Sequence, residues 1–433
     1  MYAYENKIRR PILQKTADLE RNGRLSHVIF AQQFNRNLLD RICDTTDRIR
    51  TLARIERPLA QSQGTFNDVE SHQPRSFLSG LLSHKRAMLY FSQASTRTFL
   101  SFQAACQLLG ITCNEIRDPS LSSEVKGEHM MDSIRMFSTY FDILIMRTKV
   151  PELAERSAYL MNEMESVREK LVPIINGGSG ADEHPTQALL DVYTLGRIFR
   201  FADERGNSDD TRFSRLRDKY QRKDGFELQR GIDGKSIAFV GDIGRGRTVR
   251  SLAQLLGLFR NITMHFVAPE HSVLQLQPDL RHFFQERRIE IYEHSDLNEV
   301  IDKVDAVYMT RIQREHDSGD VADFLSNIEI SDFRRRFCLD EEKVERMREY
   351  AAILHPFPRY GWDRKRDRVP EEIEIPFEID TNHRAKYFQQ AENGMWARAA
   401  LIAYLFDADS FIQEEYDRLY PPELQTYNRA VLS

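Results

Sequence analysis

Tyr90-Phe91-Ser92-Gln93-Ala94-Ser95-Thr96-Arg97-Thr98, continued by Phe99-Leu100-Ser101-Phe102, carries an apolar run into hydroxyls and one arginine and then into helical spacing. A strand that breaks in this way into a helix start makes a site for an oxyanion. The first N–H groups of a helix lack partners inside it and stand at the positive end of its dipole. Ser95, Thr96 and Thr98 add hydroxyl donors, and Arg97 adds a planar fork that matches phosphate oxygens. Taken alone, the four residues 95–98 read equally well as a capped helix with a surface arginine. Their surroundings decide.

Outward from this stretch, short apolar runs alternate with helical patterns. Strands are predicted at 87–91, 111–116, 143–146 and 173–175, and again after the middle at 236–240, 262–267, 289–292, 306–309 and 352–354. Such alternation argues parallel strands joined by helical crossovers. The expected fold is therefore α/β, with two doubly wound parallel-sheet domains joined by crossing helices. The predicted division is 1–195 for an N-terminal extension and anion-binding domain, 196–233 for a charged insertion or linker, 234–384 for the second domain, and 385–433 for a C-terminal helix returning to the first. Leu38, Leu39, Ile42, Ile49 and Leu52 predict a helix, whereas 60–77, rich in Gln, Ser, Pro and His, reads as loop. The polar stretches 201–233 and 361–374 read as exposed additions.

The chain has 433 residues, enough for two cores, with 41% hydrophobic and 29% charged residues. A net charge of −5 gives no global reason to expect nucleic acid or a membrane surface as partner. No run has the length and apolarity of a membrane span, and the first ten residues lack a signal-peptide core, so a cytoplasmic enzyme is expected. Cys43, Cys106, Cys113 and Cys338 form no metal-binding or redox spacing and read as reduced thiols. Neither a metal nor a cofactor is expected.

Further motifs follow in order: Lys126-Gly127-Glu128, Met146-Arg147, His184-Pro185-Thr186-Gln187-Ala188-Leu189-Leu190-Asp191, Val240-Gly241-Asp242 with Gly246-Arg247-Thr248-Val249, Tyr308-Met309-Thr310-Arg311-Ile312-Gln313, His355-Pro356-Phe357-Pro358-Arg359, and Gln390-Ala391-Glu392-Asn393-Gly394 through Arg398. Over 25–410 this series resembles the aspartate and ornithine carbamoyltransferases, and the Arg311-x-Gln313 form resembles the aspartate branch. The resemblance implies transfer of a carbamoyl group from carbamoyl phosphate to the amine of L-aspartate, in pyrimidine synthesis. It also implies at least a homotrimer, or a multiple of trimers, with shared active sites. Regulatory or dihydroorotase partner chains are left open.

The resemblance assigns roles as follows. Ser95, Thr96, Arg97 and Thr98 hold the phosphate, with Ser122 and Lys126 supplied from a mobile loop of a neighbouring subunit. Arg147 reaches phosphate and carbonyl oxygen, and His184 stabilises the charge growing on that oxygen. Gln187, three residues from His184 and on the same helix face, accepts from the carbamoyl NH2, as do the backbone carbonyls of Pro356 and Phe357. The two prolines are expected to hold Phe357 extended. Arg247 and Arg311 clamp the two carboxylates of aspartate, with Gln313 beside them. Arg398 is expected near the phosphate region, with a helix-face ion pair as the competing reading. Gly244-Arg245-Gly246-Arg247 lacks the full spacing of a dinucleotide loop.

Three positions depart from the aspartate branch: Gln93 where glutamate is usual, and Phe99 and His316 where arginine is common. Phe99 falls in register with Phe102, Cys106 and Leu109, which argues packing. Gln93 and His316 leave domain closure to be held differently. The competing functions are a carbamoyltransferase with another carboxylated acceptor and a non-catalytic structural subunit of a pyrimidine-pathway assembly.

Overall fold

The computed structural model describes residues 4–53, 68–118, 127–168, 170–179, 183–201, 209–220, 227–313, 319–361 and 370–421. The chain forms two compact units, one of 1–186 with 392–433 and one of 187–391. Both divisions fall inside long helices, Pro185–Phe199 and Tyr387–Leu405, rather than at the expected 195 and 384. An unbroken helical pattern carries no mark of where the chain changes partners, so the sequence could not locate them.

In the first unit a hairpin of β1 (Glu20–Arg21) and β2 (Arg24–Leu25) precedes a parallel sheet of β3 (Arg86–Phe91), β4 (Thr112–Ile116), β5 (Ile143–Arg147) and β6 (Ile174–Asn176), ordered β4-β3-β5-β6. The run Ile143 to Met146 is wholly buried, as a strand covered on both faces requires. Phe91 pairs with Arg147 and Met146 with Asn176, so the ends of β3, β5 and β6 lie level. His27 is buried beside β6, its Nδ1 accepting from the Ile174 amide at 3.0 Å. Burial holds its pKa down to about 3.

The C-terminal helices belong to this unit. Asp409, buried, accepts from Arg24 at 2.9 Å and from Arg41 at 2.7 Å, and Arg50 donates to Asn393 at 2.7 Å. From 68 onward the predicted loop is instead the helix Asp68–Leu81, which packs against Arg36–Ala53 and buries Leu78. Arg75 donates to the Ala53 carbonyl at 2.8 Å and so satisfies an open acceptor at the end of that helix. Tertiary packing outweighs weak local preference there.

The second unit holds β7 (Ser236–Val240), β8 (Thr263–Val267), β9 (Glu290–His294), β10 (Ala306–Met309) and β11 (Ala352–Leu354) in the parallel order β11-β10-β7-β8-β9. The expected linker is part of this unit. Its helix Asp210–Lys219 is docked: Lys219 meets Glu349 at 3.1 Å, Arg215 bonds the same carboxylate, and the Tyr220 hydroxyl accepts from the Glu349 amide at 2.8 Å. Hydrogen bonds from Arg215 and then Lys219 lower the Glu349 pKa to about 2. Phe201 and Tyr350 pack edge to face beside it, so a segment read as exposed carries an aromatic anchor. The second polar stretch likewise ends buried, at Glu372 and Glu374.

All four cysteines are free thiols; Cys106 and Cys338 are buried, while Cys43 and Cys113 are half-buried. Among the described residues no helix is long and apolar enough to cross a membrane, and no cluster of three or more His, Cys, Asp or Glu is arranged to hold a metal.

Candidate active site

In an open parallel sheet the crevice for a ligand opens at the carboxyl ends of two strands whose connections run in opposite directions. In the first unit that point lies between β3 and β5. The turn 92–95 leaves β3 there, Arg147 ends β5 there, and the Gln93 amide ties them by donating to the Arg147 carbonyl at 3.1 Å. Ser95 takes the N-cap position of the helix Thr96–Leu108 without using its hydroxyl as a cap. Thr98 is buried, whereas Thr96 and Arg97 are exposed. Phe99 packs edge to face on Phe91 with ring centroids 5.4 Å apart, and its stripe of Phe102, Cys106 and Leu109 is buried.

Arg147 and His184 converge. The guanidinium NH1 stands 3.2 Å from the Gly177 carbonyl and 3.4 Å from His184 Nε2. Glycine makes this approach possible: Gly178 has φ +93°, and a Cβ there would lie 2.5 Å from the His184 ring and 2.9 Å from Arg147. The turn is pinned by Asn176, whose Oδ1 accepts from the Gly178 and Ser179 amides at 2.9 and 2.8 Å. Glu183, the neighbour of His184, is itself fixed by the Ala31 amide at 2.6 Å. Neither Asn176 nor Gly178 stood out in the sequence; the signal was a polar residue and two glycines directly after a strand.

Beside the anion turn lies a cavity of about 450 Å³ lined by Ser92, Ser95, Arg117, Asp118 and Lys149 among others. Arg117 and Lys149 follow β4 and β5, where charge at a strand's carboxyl end reaches a crevice, and neither belongs to a motif of the sequence. The Arg117 guanidinium lies 4.7 Å from the Phe99 ring centroid, so a positive charge stands beside the position where the family commonly has arginine. Arg398 is buried one turn beyond Thr98: it donates to Ser101 at 2.5 Å and lies over Phe102. Its contact braces the helix that carries the anion turn.

The second unit repeats the arrangement at the point between β7 and β10. Buried Asp242 organises it, accepting from Arg245 Nε at 2.9 Å, from the Arg245 amide at 3.2 Å and from the Gln313 amide at 3.2 Å. Gly241, at φ +112°, lets Thr310 approach, since a Cβ would meet the Thr310 carbonyl at 2.2 Å. Val240 pairs with Met309, so the helix start at Arg247 and the segment 310–313 leave adjacent strands at one level. Arg247, Arg311 and Gln313 are half-buried.

The His355 turn corrects an expectation. Phe357 is in the left-handed region, φ +55°, not extended, and its amide donates to His355 Nδ1 at 2.7 Å. An imidazole nitrogen that accepts carries no proton, so Nε2 bears it and donates to buried Glu374 at 2.9 Å. This bond between ring and chain, unreadable from residue types, bends the backbone. Gln187, in the first turn of Pro185–Phe199, belongs to the second unit and donates to Asp191 at 2.9 Å. Ser122, Lys126 and His316 lie outside the described residues.

The family model described as aspartate/ornithine carbamoyltransferase, carbamoyl-P binding domain, matches residues 26–197, and the model of the Asp/Orn binding domain matches 233–405. The chloroplastic aspartate carbamoyltransferase of Arabidopsis thaliana is 34% identical over 88% of this chain and 78% of its own length. The aspartate carbamoyltransferase catalytic subunit of Photobacterium profundum is 34% identical over 76% of this chain and 87% of its own. Among solved structures, the catalytic subunit of M. jannaschii aspartate transcarbamoylase shares 30% identity with TM-score 0.63, covering 88% of this chain and 98% of that one. The Trypanosoma cruzi enzyme in complex with aspartate and phosphate shares 27% identity with TM-score 0.64, covering 89% and 97%.

Proposed function

The chain belongs to the aspartate/ornithine carbamoyltransferase family, and from that premise we propose how its residues divide the work of an aspartate carbamoyltransferase. The reaction moves the carbamoyl group of carbamoyl phosphate to the amine of L-aspartate, giving N-carbamoyl-L-aspartate and phosphate. The observation that carries the division is the approach of Arg147 to His184 at the first unit's switch point, level with the turn that starts at Ser92.

Ser95, Thr96, Arg97 and Thr98 bind the phosphate, while Arg147 and His184 address the carbonyl oxygen. The neutral amine attacks the carbonyl carbon; an N–C bond forms and the oxygen becomes an oxyanion beside Arg147. The C–O bond to phosphate then breaks, and the departing phosphate takes the proton from nitrogen. No covalent enzyme intermediate is needed. Holding both substrates in reacting geometry offers about 7–11 kcal/mol, and fixed donors around the oxyanion add to it. Arg247 and Arg311, with Gln313, bind the two carboxylates of aspartate; two guanidinium groups suit a diacid. Arg117 and Lys149 supplement the positive potential at the phosphate cavity.

The test is an acceptor panel with carbamoyl phosphate, read by ureido colour. Product is expected with L-aspartate and not with L-ornithine; a reversed preference overturns the assignment.

A trimeric assembly with active sites completed by Ser122 and Lys126 of a neighbouring copy is the quaternary reading, supported by the naming of relatives as catalytic subunits. Sedimentation with a bisubstrate analogue tests it and would also report regulatory or dihydroorotase partner chains. The cytoplasm is the compartment we assign; plant relatives are named chloroplastic, and cell fractionation separates the two.

A further inference from the structure

We propose that Asp191 is the residue that makes this enzyme demand an amino group on its donor, by fixing the direction of the acceptors that recognise a carbamoyl NH2. The inference rests on the reading above, in which Gln187 and the carbonyls of the 356–357 turn receive that group.

Asp191 is fully buried and accepts hydrogen bonds from the side chains of Gln187, Gln390 and Tyr308. Its Oδ1 receives the side-chain amides of Gln187 at 2.9 Å and Gln390 at 2.6 Å, and its Oδ2 receives the Tyr308 hydroxyl at 2.8 Å. Burial, and then the neighbouring carboxylate, hold the Tyr308 phenol well above its usual range, so it stays a donor. A carboxylate only accepts, so the atom of Gln187 that faces it is nitrogen and Oε1 points to the opposite side. An unanchored amide has no such direction; turned by 180° it offers NH2 where the substrate offers NH2.

The same carboxylate reaches the second set of acceptors through Gln390. With its nitrogen committed to Asp191, Gln390 presents Oε1 to the His355 amide at 2.8 Å. His355 in turn holds the Phe357 amide on Nδ1 and Glu374 on Nε2, and Glu374 receives the Tyr360 amide at 3.1 Å. A chain of fixed polarity, buried at Asp191, Gln390 and His355, therefore runs from Gln187 to Phe357. Asp191 is the member that touches both branches, and none of its bonds is to substrate in this reading, which makes it a positioning residue.

The consequence concerns choice of donor. Carbamoyl and acetyl phosphate share a phosphate, a carbonyl and a planar shape, and differ in NH2 against CH3. Acceptors aimed at the donor reward the NH2 and leave their own lone pairs unsatisfied against a methyl group. Losing Asp191 removes the acceptor that orients the Gln187 and Gln390 amides, so the advantage of NH2 shrinks while phosphate binding stays.

The test measures the ratio of apparent affinities for carbamoyl and acetyl phosphate, with inorganic phosphate as reference, in wild type, Asp191→Asn and Asp191→Ala. The Ala variant is expected to lower the ratio about tenfold or more, with phosphate inhibition changed less than about twofold. The Asn variant is expected to keep most of the ratio, since its oxygen can still receive the two glutamines while its nitrogen donates to a Tyr308 hydroxyl turned to accept. If Asp191→Ala does not fold, Gln390→Met reads one branch and is expected to lower the ratio by a smaller factor. An unchanged ratio in the folded variant, or equal weakening of all three ligands, overturns the inference and leaves the proposed function standing. Wild type that fails to use carbamoyl phosphate with aspartate overturns both.

Discussion

Arg147 and His184, 37 residues apart in the chain, stand 3.4 Å apart through NH1 and Nε2 at the carboxyl end of one sheet. The approach joins the end of β5 to the start of the helix Pro185–Phe199, and it exists because Gly178 between them presents no side chain.

Replacing Arg147 with alanine removes the cation proposed to address the carbonyl oxygen. Turnover is expected to fall by about 10²–10³, the cost typical of losing one oxyanion donor. Arg147→Lys is expected to recover little, because a single ammonium cannot span both the Gly177 carbonyl and the ligand. Steady-state kinetics with carbamoyl phosphate varied at saturating aspartate check both variants.

Gly178→Ala puts a methyl group within 2.5 Å of the His184 ring in a backbone region that alanine avoids. A stability loss of about 1–3 kcal/mol is expected from the strain, with a fall in kcat because His184 and Arg147 are pushed apart. Denaturant unfolding and kcat are read together; full activity in a folded variant contradicts the spacing role.

Acid should loosen the first unit through His27. Its folded value of about 3 lies below the ordinary 6.5, so between those pH values the unfolded chain binds a proton that the buried ring refuses. Stability is unaffected by this group above pH 6.5 and is lost as pH falls from 6.5 towards 3. From pH 7 to pH 5 the loss is about 2 kcal/mol. His27→Gln is expected to remove that slope, whatever its effect at pH 7; parallel unfolding curves for both proteins at pH 5, 6 and 7 would contradict it.

Arg311→Ala and Arg97→Ala are expected to separate the two substrates. The first should raise KM for aspartate roughly 10- to 100-fold with little effect on carbamoyl phosphate, as loss of a charged hydrogen bond to a carboxylate would. The second should abolish turnover and weaken phosphate as an inhibitor. Equal losses for both substrates in Arg311→Ala contradict the assignment of aspartate to the second unit.

The central strands of both sheets were legible because they are short apolar runs with a polar break after them, as in Ile143 to Met146 before Arg147, whereas the edge strands β4 and β9 mix polar residues into the run. The hairpin at Glu20 to Leu25 was not, since two-residue strands carry no period. Residues of the candidate site that announce themselves chemically, such as Arg97 and Arg311, were visible from type and order. Those that act by geometry were not: Gly178 matters for an atom it lacks, Asp242 for partners at Arg245 and Gln313, and Phe357 for a bond from its amide to a ring two residues back. Contacts of that kind are settled by the fold, and local pattern holds no trace of them.

The first unit takes its pieces from both ends of the polypeptide, while the second is one unbroken stretch. During synthesis the ribosome therefore releases every residue of the second unit before Arg398 and the carboxylate of Asp409 emerge. The second unit has all its material first, and the first must await the residues from 392 onward, exposing the Arg36–Ala53 surface that Asp409–Leu419 later covers. Nascent chains stalled shortly before 392 are thus where chaperone demand should concentrate.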